Sequence, residues 1–384
     1  MTIVVVGAGL AGLRVAEELR KAGFDGELTL VGAESTPPYD RPPLSKEVLR
    51  GTRSPADIRL REDAFFADHD ITLRLGSAVT AVQPRHKRLT LADGDVLDYE
   101  RLVIATGLRP RGLPGTGAMP GVHTLRSVND CLALRQRLDG AREVLVVGAG
   151  FVGCEVAASL RDLGLGVHLV EPQSTPLAAA LGETLGELVA RWHRKAGVDL
   201  RCGAGVARLE PSGRRLRATL TDGAEIETDV VVVGIGAVPE VGWLTGSGIE
   251  VGDGVLCDER GRTSVADVWA VGDVAAWLGS DGRRRVEHWT NAGEQARVVA
   301  RDMLGLPCQE TVVPYFWSDQ YDLKLQVFGD VTPSAEVRLE EDDGRRFLAT
   351  CVTDGRLMAV VAAGMAGKAA RLRRRIGEPV GVAR

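Results

Sequence analysis

No cysteine precedes Cys131 in this 384-residue sequence. The six that follow, Cys131, Cys154, Cys202, Cys257, Cys308 and Cys351, form neither a CxxC pair nor a zinc-type spacing. Dithiol redox chemistry and a structural metal are therefore poor organising hypotheses, and incidental thiols in a reducing cytoplasm are the simpler one. Aromatic residues are scarce at 4%, and no apolar run approaches the roughly 18–20 residues of a membrane span. A net charge of −5 argues against a nucleic-acid partner. A strand pattern starts at Thr2, "TIVVVGAGL", which leaves no room for a signal peptide and predicts a cytoplasmic protein. Lysine is rare too, six against 41 arginines, so a lysine in a structured position is worth noticing.

Glycine is plentiful, with 47 residues, and its placement organises the chain. The segment "IVVVGAGLAGLRVAEELRKAG" from Ile3 recurs as "VLVVGAGFVGCEVAASLRDLG" from Val144, with about half the positions identical. Each copy reads as a buried β-branched strand, a glycine turn and an amphipathic helix, followed by a second strand, "ELTLVG" or "GVHLVE". Further short strands, "RLVIATG", "DVVVVGIG" and "VWAVGD", end in glycine turns. The last of these lies past the second copy, so the first domain is expected to be interrupted by the second and then completed. From about Thr311 alternating strand patterns take over and end in a basic helix, "GKAARLRRRIG". The expected architecture is α/β. It has two nested Rossmann-like dinucleotide-binding domains, residues 1–112 with 240–308 and residues 113–239, and a C-terminal α+β domain, 309–384.

Gly7, Gly9 and Gly12 have GxGxxG spacing directly after a strand, as do Gly148, Gly150 and Gly153. The first glycine permits the turn, the second lets a pyrophosphate reach the helix N-terminus, and the third lets helix pack on strand. One such motif is weak evidence, but two in strand–turn–helix context predict two dinucleotide sites. In the second, Glu171 ends the next strand, where a carboxylate grips a ribose 2′-hydroxyl and repels a 2′-phosphate, so NADH is expected over NADPH. In the first, Gly32 occupies the matching position and Glu34 is the nearest acid. Glu34 then reads either as the ribose contact or as a solvated loop charge.

The elements "GAGLAG", "PYDRPPLSK", "RLVIATGLRPR", "GAGFVGCE", "GIGAVP", "VWAVGDVA", "VEHWTNAGEQA" and "VPYFWSDQYDLKLQ" give the whole chain a resemblance. It resembles the FAD-dependent NADH:ferredoxin reductases that serve bacterial oxygenases. "RPPLSK" alone is shared with apoptosis-inducing-factor-like flavoproteins, monodehydroascorbate reductases and some nitrite reductases, whereas "YFWSDQY" points to the oxygenase-linked branch. The resemblance implies FAD at the first site, NADH at the second, and a C-terminal domain that covers the flavin. It implies FAD contacts from Gly7, Gly9, Leu10, Ala11, Gly12, Glu34, Arg41, Lys46, Val79, Ala105, Thr106, Gly107, Arg126, Gly272, Asp273, Glu287, His288, Trp289 and Trp317. NADH contacts are implied for Gly148, Gly150, Phe151, Val152, Gly153, Glu155, Glu171 and Gly236, and no metal is implied. Two departures stand out: Ala33 where relatives commonly carry an acid, and Ala179 near where they often carry an arginine.

By the same resemblance Lys46, Glu155 and Trp317 carry the chemistry. The prolines of "TPPYDRPPLSKEVL" stiffen the loop, so Arg41 and Lys46 lose little conformational entropy on ordering. Lys46 pairs with Glu155 beside flavin N5, where a cation favours the reduced flavin; the alternative is a surface lysine after a proline turn. Trp317 caps the flavin near the electron exit, or is a core tryptophan. His288 positions backbone rather than donating a proton. Hydride passes from nicotinamide C4 to flavin N5, and electrons then leave singly to a 2Fe–2S ferredoxin that feeds a monooxygenase or dioxygenase. Arg371, Arg373, Arg374 and Arg375, or Arg283, Arg284 and Arg285, are docking candidates, or solvated surface. The alternatives are reduction of rubredoxin, monodehydroascorbate or a quinone, and redox sensing of the apoptosis-inducing-factor type.

Overall fold

The structure is a computed structural model that describes residues 1–279, 282–307, 313–332 and 335–380. Cys308 and the expected 308/309 boundary lie outside them. The chain divides into two compact units, one of Met1–Asp40, Ala56–Arg109 and Ala237–Val312, the other of Arg41–Pro55, Pro110–Gly236 and Val313–Arg384.

The first unit is built on a five-stranded parallel sheet in the order Val268–Ala270, Arg101–Ile104, Thr2–Val6, Glu27–Val31, Ile71–Arg74. Its edge strand Val268–Ala270 pairs with Arg101–Ile104, so a late segment completes a sheet begun at the N-terminus, as the nested pattern predicts. Period-two alternation sends successive side chains to opposite faces. Ile3 and Val5 enter one apolar core, Val4 and Val6 another. On the Ile3 face lie two helices, Leu10–Lys21 and Trp289–Met303. Ala292, Ala296 and Ala300, spaced four apart on the second helix, are all buried; such small side chains let helix axes approach. The opposite core is closed by the three-stranded sheet of Val79–Gln83, Arg88–Leu91 and Val96–Asp98 through Val82, Leu89 and Leu91.

The second unit repeats the plan. Its parallel sheet runs Asp199–Cys202, Gly166–Glu171, Glu143–Val147, Val230–Val233, Val122–Thr124, with the antiparallel meander Val206–Ser212, Arg215–Leu220, Glu225–Thr228 covering one face. The same unit holds a five-stranded antiparallel sheet in the order Tyr315–Gln320, Leu323–Gly329, Arg356–Ala363, Phe347–Thr353, Glu336–Asp342. The helix Ala366–Arg373 packs there, with Ala369 in a core that includes Phe328, Leu348, Leu357 and Val360. Both the Rossmann-like α/β class and the C-terminal α+β arrangement are thus present. No helix among the described residues is long and apolar enough to cross a membrane.

The long helix Ala178–Lys195 carries His193, which has no exposed surface. Its Nε2 lies 3.1 Å from Gln320 Oε1 and its Nδ1 2.9 Å from the Tyr321 hydroxyl. Burial pushes its pKa down to about 4. The unfolded chain therefore takes up a proton near pH 6.5 that the native chain refuses until about pH 4, so stability falls as pH drops through that window. The loss attributable to this group is on the order of 3 kcal/mol at pH 4. Urea unfolding from pH 7 to pH 4 should show a shallower stability loss in His193→Gln than in wild type.

Candidate active site: two glycine cradles and a buried ion pair

The two glycine loops have the same construction. Gly7 and Gly148 take left-handed φ values of 118° and 96°. A Cβ on Gly7 would sit 2.1 Å from the Ala105 carbonyl oxygen, and one on Gly148 would sit 2.4 Å from that of Gly234. A Cβ on Gly12 or Gly153 would come within 1.9 Å of the carbonyl oxygen of Gly7 or Gly148 respectively. Both third glycines therefore press helix against strand. A Cβ on Gly9 or Gly150 would meet nothing within 4 Å, and both residues begin their helices without a side-chain cap. Open space in front of uncapped helix N–H groups fits a pyrophosphate.

In the first unit, segments far apart in sequence converge on this loop. Ala105 and Thr106 back onto Gly7, and Thr106 Oγ1 donates to the Glu240 carbonyl at 2.7 Å. Gly272, left-handed with φ 72°, abuts Ala11, since a Cβ there would lie 2.8 Å from the Ala11 methyl. Its N–H donates to buried Gln295 Oε1 at 2.8 Å, and Asp273 follows it. Glu34 accepts a 2.6 Å hydrogen bond from the Tyr39 hydroxyl. Gly32 cannot carry an acid in its place, because a Cβ would lie 2.7 Å from the Ala8 methyl. Trp289 opens the helix Trp289–Met303 behind its N-cap His288, and its Nε1 donates to Asp40 Oδ1 at 2.8 Å. Leu10, Gly107, Val79 and Glu287 belong to this unit as well, whereas Arg41, Lys46, Arg126 and Trp317 belong to the other.

In the second unit Glu171 folds back on its own loop. Its carboxylate accepts from Ala149 N at 2.7 Å and from Gln173 N at 3.0 Å, which fixes it at the strand end. Phe151 meets Phe316 edge-on at 5.1 Å, Val152 is exposed, and Gly236 is left-handed with φ 95°. Ala179 is exposed just after Leu177, whose N–H donates to the Ala149 carbonyl at 3.0 Å.

Lys46 is no surface residue. Pro42 and Pro43 start a 3₁₀ turn, Pro42–Ser45, and Lys46 joins it to the short helix Glu47–Arg50. Its side chain is buried, with Nζ 2.6 Å from Glu155 Oε2 and donating to the Pro42 carbonyl at 3.0 Å. Ser45 Oγ donates to the same carboxylate oxygen at 2.6 Å, and Ser318 Oγ donates to Glu155 Oε1 at 2.8 Å. Glu155 lies on the helix Phe151–Asp162, where residues three, four and seven apart share a face. From that face Ser159 Oγ donates to the Ser45 carbonyl at 2.7 Å and Asp162 takes an ion pair from Arg50 at 2.6 Å. Arg41 Nη1 donates to the Arg126 carbonyl at 2.7 Å, which brings two expected contacts together. Trp317 stacks on Tyr315 at 5.8 Å beneath the Lys324 ammonium, itself 5.5 Å from the indole centroid. Ser45, Ser318 and Gln320 are site residues that the sequence reading did not name. For the latter two the available signal was polar side chains at alternate positions of a strand.

Each of the five described cysteines is free. Burial pushes the thiols of Cys131, Cys202 and Cys351 up to about 11 and that of Cys257 to about 12. Cys154, wholly buried, is raised further by Glu155 beside it. Such thiols are poor nucleophiles at neutral pH.

Residues 1–296 match the pyridine nucleotide-disulphide oxidoreductase family and residues 315–383 the reductase C-terminal family. Rhodocoxin reductase of Rhodococcus erythropolis is 39% identical over 94% of this chain and 86% of its own length. The chain belongs to the oxygenase-linked ferredoxin reductases. Within this family, the reductase component of a biphenyl dioxygenase system from Paraburkholderia xenovorans is 35% identical over 94% of this chain and 89% of its own. A solved covalent putidaredoxin reductase–putidaredoxin complex aligns with TM-score 0.93 at 31% identity, covering 98% of this chain and 93% of that one. A ferredoxin reductase from Rhodopseudomonas palustris aligns with TM-score 0.94 at 32% identity, covering 98% and 96%. As a member of this family the protein is an FAD-dependent oxidoreductase.

The open and filled positions of the cradles separate two classes of reductase variant. Gly9→Val should leave the stability of the apoprotein nearly unchanged and abolish FAD uptake. Gly12→Ala should cost at least about 1–3 kcal/mol in the apoprotein itself; thermal unfolding and flavin titration distinguish the two. Lys46→Met strands a buried carboxylate and should cost about 3–5 kcal/mol. In denaturant unfolding, Lys46→Met/Glu155→Leu should be more stable than Lys46→Met alone.

Proposed function

We propose that this reductase oxidises NADH and passes the electrons, one at a time, to a 2Fe–2S ferredoxin of a bacterial monooxygenase or dioxygenase system. One observation carries the reading: two glycine cradles of the same construction accompany a buried Lys46–Glu155 pair, and the described thiols are held inert. FAD supplies the conversion of a two-electron hydride into single electrons, which neither NADH nor a 2Fe–2S cluster performs alone. Residues 1–112 and 240–308 are assigned to FAD, 113–239 to NADH and 309–384 to the C-terminal reductase domain.

The chain's own residues bind, orient and tune. Gly7, Gly9, Leu10, Ala11 and Gly12 present backbone to the FAD pyrophosphate, with Gly272 beside Ala11 and Asp273 next in the chain, and with Ala105 and Thr106 behind Gly7 and Gly107 following them. Glu34, held by Tyr39, addresses the adenosine ribose. Val79, Arg41, Arg126, Glu287, His288 and Trp289 complete the flavin contacts. Gly148, Gly150, Phe151, Val152, Gly153 and Gly236 bind NADH, and Glu171 selects its unphosphorylated ribose. Lys46, fixed by Glu155, places a positive charge at the reacting ring, and Trp317 covers it. Hydride transfer needs no general acid or base, only alignment and electrostatics.

For the ferredoxin, Arg371, Arg373, Arg374 and Arg375 form the better docking face, being exposed at and just after the helix Ala366–Arg373. Arg375 shares its charge with Glu378, whereas Arg285 is committed to both Asp253 and Glu287, and Arg283 to the Cys257 carbonyl. An acidic partner fits such a face through a small, salt-sensitive contact. Free thiols support a cytoplasmic location.

NADH-driven cytochrome c reduction, with and without ferredoxins from the same genome neighbourhood, tests this reading. Strict dependence on one ferredoxin, weakening with added salt, is expected; equal turnover with quinones or monodehydroascorbate alone would overturn it. Glu171→Arg should lower the NADH-to-NADPH ratio of kcat/KM by about tenfold or more, since like-charge contact costs several kcal/mol. Steady-state kinetics with both nucleotides measure it.

A further inference from the structure

The Lys46–Glu155 pair is one end of a longer buried chain within the second unit. Glu155 Oε1 accepts from Ser318 Oγ at 2.8 Å, and Ser318 Oγ lies 3.2 Å from Gln320 Nε2. Gln320 Oε1 lies 3.1 Å from His193 Nε2, and His193 Nδ1 lies 2.9 Å from the Tyr321 hydroxyl. Ser318, Gln320 and His193 have no exposed surface.

A carboxylate only accepts, so the polarity of the whole chain follows from its end. Ser318 donates to Glu155 and must therefore accept from the Gln320 amide nitrogen. The Gln320 oxygen then faces His193 Nε2, which must carry the proton, and Nδ1 accepts from Tyr321. The opposite polarity would turn a Ser318 lone pair toward Glu155 Oε1. The neutral imidazole that burial imposes on His193 supplies one donor and one acceptor, as this order requires.

A second observation points to the same device. Tyr321, with φ 57°, is the first residue of the two-residue turn that joins Gln320 to Leu323, where a hairpin needs a positive φ and a bulky residue is unusual. Its hydroxyl is fixed on His193, and Asp322, next to it in the turn, pairs with Arg345. On the strand Tyr315–Gln320, alternation puts Ser318 and Gln320 on one face and Tyr315 and Trp317 on the other.

We infer that Ser318 and Gln320 are positioning residues for hydride transfer, which hold the Glu155 carboxylate in one rotation and so hold Lys46 in place. The inference rests on the reading that Lys46 addresses the bound flavin. A glutamate carboxyl torsion is broad and weakly restrained by itself. With Oε1 tied to Ser318, Oε2 is the oxygen left for Lys46 and Ser45. Ser318→Ala unties Oε1 and also strips Gln320 Nε2 of its acceptor. Ser318→Thr keeps the hydroxyl.

The test uses FAD-loaded wild type, Ser318→Ala, Ser318→Thr and Lys46→Met, with flavin midpoint potential from dye equilibration and anaerobic stopped-flow reduction by NADH. Ser318→Ala should slow reduction at saturating NADH roughly tenfold, the scale of one hydrogen bond to a charged group. Its potential should shift in the direction of Lys46→Met, the NADH dependence should stay near wild type, and Ser318→Thr should restore both rate and potential. In the apoprotein, ¹⁵N-histidine NMR should show His193 as the Nε2–H tautomer at pH 7. A change of potential in Lys46→Met but not in Ser318→Ala would overturn the positioning role and leave the reading of Lys46 intact. Silence of Lys46→Met itself would remove that reading and the inference together. An Nδ1–H tautomer or an imidazolium would contradict the polarity of the chain.

Discussion

A carboxylate buried away from water has to be met by donors, and that requirement governs the second unit. Glu155 takes an ammonium and two hydroxyls, from Lys46, Ser45 and Ser318. These come from an N-terminal loop and from a C-terminal strand, so one buried charge ties together stretches of chain about 270 residues apart in sequence. Desolvation makes such an arrangement expensive unless geometry is good and every remaining lone pair is satisfied. Here the extra hydroxyl bonds supply that satisfaction. The same cost explains the rigid proline turn, since a flexible lysine could not be held buried without a larger entropic loss.

The protein uses one supersecondary unit twice and lets the copies diverge after the helix. The glycine contacts are nearly superposable in kind: a left-handed first glycine, an open second and a close-packed third. Beyond the helix the copies part. The second ends its next strand on Glu171, bonded to its own loop. The first has no room for an acid there, because Ala8 occupies the space beside Gly32, and Glu34 is held two residues farther on by Tyr39. The chain carries a family name that includes disulphide chemistry, yet burial raises its described thiols out of the reactive range.

Much of this was legible in the residues alone. Glycine spacing, the strand–turn–helix repeat, the acid at Glu171 and the lysine after two proline pairs are signatures of local origin. Each reflects a backbone angle, a forbidden Cβ or a charge within a few residues of the motif. The nested sheet was legible as well, because buried parallel strands read as continuous β-branched runs wherever they occur. Ser318 and Gln320 do not stand out in the sequence, although "YFWSDQY" marks the segment that carries them. Alternation shows that they share a face but not what that face meets.

The sequence by itself determined two glycine cradles, their order along the chain and the acid that ends the strand after the second, because those features depend on short-range sterics and charge. Only the tertiary structure decided that Lys46 is buried on Glu155, that Gly272 abuts Ala11, and that His193, Gln320 and Ser318 form one line of donors. Those partners come from separate elements. Which donor faces which acceptor is set by the packing of sheets and helices, and no local pattern encodes it.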